Sequence, residues 1–65
     1  MQDIQTSLLG RRISIAMVHP KLPLKVGDQG QIVSVYLVNN EPKYTILMDD
    51  GELKDVYAYM FKLVI

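Results

Sequence analysis

Cysteine and tryptophan are absent from this chain, and histidine occurs once. Without cysteine there is no disulfide, no thiolate zinc site and no thiol nucleophile, and a reducing compartment is expected, with the cytoplasm as the default. His19 lacks a second histidine to share a transition metal, so neither a metal site nor a cofactor is expected. Long apolar runs are missing too. Nothing approaches the roughly 18 residues of a membrane span, and the first ten residues lack the basic start and apolar core of a secretion signal, so a soluble, unprocessed protein is expected. Formal net charge is zero at pH 7, which removes the strong nonspecific pull on nucleic acid or anionic lipid that a basic chain exerts.

That neutrality conceals an asymmetry. Residues 1–26 hold Arg11, Arg12, Lys21 and Lys25 against Asp3, a net +3, and residues 27–65 hold three lysines against six carboxylates, a net −3. Pairing of the two halves within the fold is the expected outcome, with self-association as the alternative. The 65 residues suffice for one hydrophobic core, and a chain of this size buries only about 60% of its unfolded surface.

Strand signals dominate the pattern. Residues 12–18 (R-I-S-I-A-M-V) set Ile13, Ile15 and Met17 on one face at period two, after a Gly10 able to take the positive φ of an entering turn. Pro20, Pro23, Gly27 and Gly30 then exclude helix and central strand, leaving a long irregular connection. Residues 31–38 alternate Val33, Val35 and Leu37 with Ile32, Tyr36 and Val38. A strand apolar on both faces must be covered on both, by its own sheet bending round it or by a second subunit, and partial dimerisation at micromolar concentration is expected.

Residues 39–43 (N-N-E-P-K) read as a turn and residues 44–48 as a third strand. Asp50 and Gly51 suit a type I′ hairpin, with positive φ at both central positions. Residues 53–57 return antiparallel, residues 58–62 contain one helical turn, and residues 63–65 end the chain as a short strand. Five strands in so short a chain hide their edges most economically by closing. The expected organisation is a lead-in over residues 1–9 and one all-β, five-stranded barrel over residues 10–65.

Two stretches resemble known small barrels. V-G-D-Q-G-Q-I-V-S-V at residues 26–35 is similar to the G-D-x-G loop and strand of KOW-type modules, and Y-T-I-L-M-D-D-G-E at residues 44–52 resembles the strand and hairpin of Tudor-like barrels. The ending at residues 56–64 is similar to their helical turn and closing strand. The resemblance implies a Src-homology-3-like (SH3-like) barrel, a fold that hosts peptide readers, nucleic-acid binders and occasional enzymes.

Candidate functional residues follow from charge and aromatic placement. Lys21, Lys25 and Lys43, on loops that converge at one end in such a barrel, together with Tyr36, Tyr44, Tyr57 and Tyr59, form the expected partner-binding surface of flat rings between ammonium groups. No acid, base and nucleophile trio is evident, since His19 beside Pro20 has only Ser14 or Ser34 to activate, so no catalytic residue is assigned. Asp49, Asp50, Glu52 and Asp55 crowd one hairpin without calcium-loop spacing and read as a solvated tip in which Asp49 and Glu52 repel. The resulting expectation is a noncatalytic regulatory or accessory module that binds a protein. A KOW-like nucleic-acid contact is the alternative, and an enzyme assembled by oligomerisation on the same barrel is the third reading.

Overall fold

A computed structural model describes residues 6–64. Five strands, β1 (Arg12–Ile15), β2 (Gln29–Val38), β3 (Glu41–Met48), β4 (Leu53–Tyr57) and β5 (Phe61–Leu63), are accompanied by 3-10 turns at Thr6–Leu8 and Ala58–Met60. They form one antiparallel sheet in the order β4-β3-β2-β1-β5. The protein is therefore all-β. No ladder joins β4 to β5, so the hydrogen-bonded sheet is open where a closed barrel was expected. No helix among the described residues is long and apolar enough to cross a membrane. Residues 1–5 of the expected lead-in, and Ile65 of the expected last strand, lie outside the described residues.

Period-two patterning works as far as the strands run straight. Ile13 and Ile15 are fully buried, as their alternation predicts, but Met17 is 55% exposed. The reason is local: the Ala16 and Met17 amides both donate to the Met60 carbonyl, at 2.8 and 3.1 Å, and two successive amides cannot converge on one oxygen from an extended chain. β1 stops at Ile15 and the chain is tied to the turn before β5. That strand begins at Phe61, two residues earlier than expected.

β2 departs from simple alternation in a way that decides how it is covered. Its register runs from Ile32 opposite Ile46 to Ser34 opposite Thr45, which leaves Val33 as a bulge. One extra residue reverses the faces beyond it. Ile32 and Val35, expected on opposite sides, both pack into the same core, which covers them without a second subunit. Val33 remains 44% exposed and Leu37 37%.

The type I′ geometry expected at Asp50 and Gly51 is found instead at the other hairpin. Val38 pairs with Glu41, and Asn39 and Asn40 between them have φ of 50° and 67°, so the type I′ geometry belongs to the asparagines. β3 accordingly starts at Glu41 and includes Pro42. Its nearest β4 pairing is Lys43 with Tyr57, so the missing proline N–H falls beyond the end of β4, where no ladder needs it. At the acidic tip the Met48 amide donates to the Glu52 carbonyl at 2.8 Å. That closes a three-residue loop in which Gly51 alone takes positive φ, 91°. Asp49 and Glu52 do not confront each other there. Asp49 accepts from Arg12 at 2.8 Å and Glu52 from Lys54 at 3.3 Å. The Arg12 pair links the basic and acidic halves of the chain, and its exposure limits it to about 1 kcal/mol or less.

Ile13, Ile15, Leu24, Ile32, Tyr44, Ile46, Met48, Val56 and Met60 form the core, with Phe61 and Leu63 of β5 packed against it. Every strand thus turns a face to one apolar centre. Gly30 lies where β2 comes closest to β3: a Cβ there would meet Ile46 Cγ2 and the Leu47 carbonyl oxygen at 2.6 Å.

Candidate functional site

Cross-strand registers assemble a surface on the outer face of β2, β3 and β4. Tyr36 stands opposite Lys43, and Lys43 opposite Tyr57; in the adjoining row Ser34 faces Thr45, and Thr45 faces Asp55. Because Tyr44 and Val56 are buried, strand alternation sets these six residues on the other face, with the half-buried Tyr57 also packing against the margin of the core. The chain then enters the Ala58–Met60 turn, which carries Tyr59 back beside Tyr57.

The contacts are specific. The Tyr57 and Tyr59 rings stack with centroids 6.0 Å apart and planes within 8° of parallel. Lys43 Nζ lies 5.0 Å from the Tyr57 ring centroid, within the range of a cation–π attraction. Thr45 Oγ1 donates to Asp55 Oδ1 at 2.8 Å. The Tyr36 phenol has a pKa raised above 10.0 by desolvation first, then by its hydrogen bond to Asp55 and the charge of that carboxylate, with Tyr57 adding a smaller push.

A shallow groove of about 170 Å³ runs beside these residues, lined by His19, Leu22, Lys43, Asp55, Tyr57, Tyr59 and Met60. Its far wall comes from the long loop between β1 and β2. There the Lys21 amide donates to His19 Nδ1 at 3.2 Å, so the neutral imidazole carries its proton on Nε2. The groove offers flat apolar walls, phenol hydroxyls, one ammonium and one carboxylate, a combination suited to holding a peptide side chain and fixing its orientation.

A second cavity, of about 240 Å³, is lined by Pro23, Leu24, Asp28, Gln29, Met48, Asp49, Asp50 and Lys54. Among the described residues no group of three or more histidine and carboxylate side chains is arranged to hold a metal ion.

Of the seven residues expected to bind a partner, four are drawn together on the outer face: Tyr36, Lys43, Tyr57 and Tyr59. Tyr44 is not on that surface. It is 2% exposed and packs edge-on against Phe61, with centroids 5.2 Å apart, because it shares the inward face of β3 with Ile46 and Met48. Lys21 is exposed next to the groove-lining Leu22, while Lys25 sits at a turn where its amide donates to Asp28 Oδ2 at 3.1 Å and does not line the groove. Asp55, Thr45, His19 and Leu22 had not been expected at this site. Asp55 was legible as a partner of Tyr57, since two residues apart on a strand means one face.

No family model, curated protein or solved structure matches the chain.

Proposed function

We propose that this chain is a noncatalytic interaction module, a small regulatory or accessory protein that binds a protein partner through the groove beside Tyr57 and Tyr59. The observation that carries this reading is the stacked tyrosine pair flanked by Lys43 and Asp55. Parallel rings present a large rigid area at little entropic cost, and the two opposite charges at their margin leave the groove close to neutral. A neutral aromatic groove suits a polypeptide better than a polyanion. Lys43 is engaged with the Tyr57 ring and Asp55 repels phosphate, so the KOW-like reading loses its electrostatic term.

The framework belongs to this proposal as well. A meander in the order β4-β3-β2-β1-β5 with a 3-10 turn between β4 and β5 supports an SH3-like barrel, as does a core that draws on every strand. His19 of the long loop after β1 and Tyr59 of the turn before β5 line one groove.

The test is retention from a nuclease-treated extract on immobilised protein, wild type against Tyr59→Ala. A protein held by the wild type and lost with the variant supports the reading. Binding of a labelled oligothymidylate that weakens steeply with added salt would favour the nucleic-acid alternative instead.

A further inference from the structure

The outer edge of β4 bears directly on how a partner would be held. The Met48 amide bonds to the Glu52 carbonyl, and antiparallel ladders alternate bonded with non-bonded pairs. Of the β3–β4 pairs, Ile46 with Lys54 and Tyr44 with Val56 are therefore bonded, whereas Leu47 with Leu53, Thr45 with Asp55 and Lys43 with Tyr57 are not. The other side of β3 gives the same parity. The Asp49 amide donates to the Gln29 carbonyl, which makes Leu47 a bonded partner of Gln31 and points its backbone groups away from β4.

Leu53, Asp55 and Tyr57 consequently turn three N–H groups outward together with the C=O groups of Leu53 and Asp55, while the Tyr57 C=O is taken up by the start of the Ala58–Met60 turn. The same three residues present their side chains on the outer face. Leu53 is 62% exposed, and the two ion pairs found among the described residues, Arg12 with Asp49 and Lys54 with Glu52, leave the Asp55 carboxylate without one. Its hydrogen-bond donor, the Thr45 hydroxyl, is neutral.

We propose that this edge takes up an extended segment of a protein partner as an added antiparallel strand, with a lysine or arginine opposite Asp55 and apolar residues opposite Leu53 and Tyr57. Main-chain bonds supply the attachment and the alternating side chains supply the choice of sequence. The central cation follows from the unpaired carboxylate. A second copy of β4 is disfavoured as the occupant, since antiparallel pairing about its centre would set Asp55 against Asp55, and like charges directly opposite repel. The inference rests on the protein-binding reading and narrows it to one class of segment.

The probe is the blocked peptide acetyl-Thr-Val-Thr-Lys-Thr-Val-Thr-amide, titrated to millimolar concentration against the full ¹⁵N-labelled chain. Saturable shifts are expected at the amides of Leu53, Asp55 and Tyr57. Glutamate in place of the peptide lysine should weaken binding about tenfold, and N-methylation of the lysine and both valines should abolish it. Asp55→Lys should invert the preference towards the glutamate peptide; Asp55→Asn, which keeps size and hydrogen bonding, should bring the two peptides level and covers any failure of Asp55→Lys to fold. Shifts confined to His19, Leu22 and Tyr59 would overturn the added strand while leaving the groove as a protein site. Silence at every amide would also overturn it, with the retention experiment judging the protein-binding reading separately. So would a concentration-dependent dimer of the free protein with its contacts at Leu53, Asp55 and Tyr57, because the occupant would then be a second copy.

Discussion

Replacing Gly30 with alanine adds a single methyl group at the tightest point of the sheet. The new Cβ would lie 2.6 Å from Ile46 Cγ2, 2.6 Å from the Leu47 carbonyl oxygen and 3.0 Å from Met48 Cα. Rotation of Ile46 can relieve the first contact. The other two are backbone atoms of the paired strand, so β2 and β3 must separate where their registers meet at Gly30 and Met48. Gly30 is not among the positive-φ glycines, so alanine meets no conformational penalty there and the cost is steric alone. Overpacking of this kind costs about 1–3 kcal/mol, and the upper part of that range applies when backbone must move. A core in a chain this short supplies only about 3–5 kcal/mol in total. Gly30→Ala should therefore forfeit half or more of the stability. With a urea slope of about 1 kcal/mol per molar for so small a domain, the midpoint should fall by about 2–3 M. Gly27→Ala is the control: it sits at φ +96° with nothing within 4 Å of the added Cβ, and should cost only the left-handed strain of about 1–2 kcal/mol. A Gly30→Ala variant that unfolds at the wild-type urea concentration would refute the close approach of β2 to β3.

Further outcomes follow from the hairpin, the outer face and the β4 edge. Gly51→Val should destabilise by more than about 1 kcal/mol, because a β-branched residue is forced to positive φ; an unchanged denaturation midpoint would show the three-residue loop to be wrong. Tyr36 holds its proton more tightly folded than unfolded, so its contribution is fully present below pH 10.0 and is lost as the pH rises through its higher folded pKa. Asp55→Asn should lower that pKa in a spectrophotometric titration of the phenols, and no change would separate Tyr36 from Asp55. In amide hydrogen exchange, Lys54 and Val56 should be protected and Leu53, Asp55 and Tyr57 should exchange fast; uniform protection along β4 would mean that its edge is covered.

Strand patterning was legible where it rested on two-residue periodicity within unbroken ladders, as at Ile13 and Ile15. It failed where a single backbone event reset the count. Nothing in the Ile32, Val33, Ser34 triplet signals a bulge, since neither glycine nor proline marks it, yet that one residue changes which side of β2 faces the core. The two hairpins were located but the type I′ turn was assigned to Asp50 and Gly51 in place of a three-residue loop, because a glycine at positive φ serves both equally well. Tyr44 is the instructive site residue. Its spacing from Ile46 and Met48 places it on the inner face, and that signal was available in the sequence, whereas grouping the tyrosines by residue type alone passed over it. The stacking of Tyr59 on Tyr57 was not readable in advance, as it depends on how the Ala58–Met60 turn reverses the chain.

The claim that a protein partner lies beside Tyr57 and Tyr59 is tested most directly by photo-crosslinking from that point. A benzophenone amino acid installed in place of Tyr59, 63% exposed, should give a discrete adduct on illumination in cell extract. That adduct should survive nuclease, shift by the mass of a polypeptide and disappear when Tyr57→Ala is added. The same group in place of Leu9, 44% exposed and not part of the groove, should give no such band. A nuclease-sensitive adduct, or the same product from both positions, would contradict the assignment of this face as a protein-binding site.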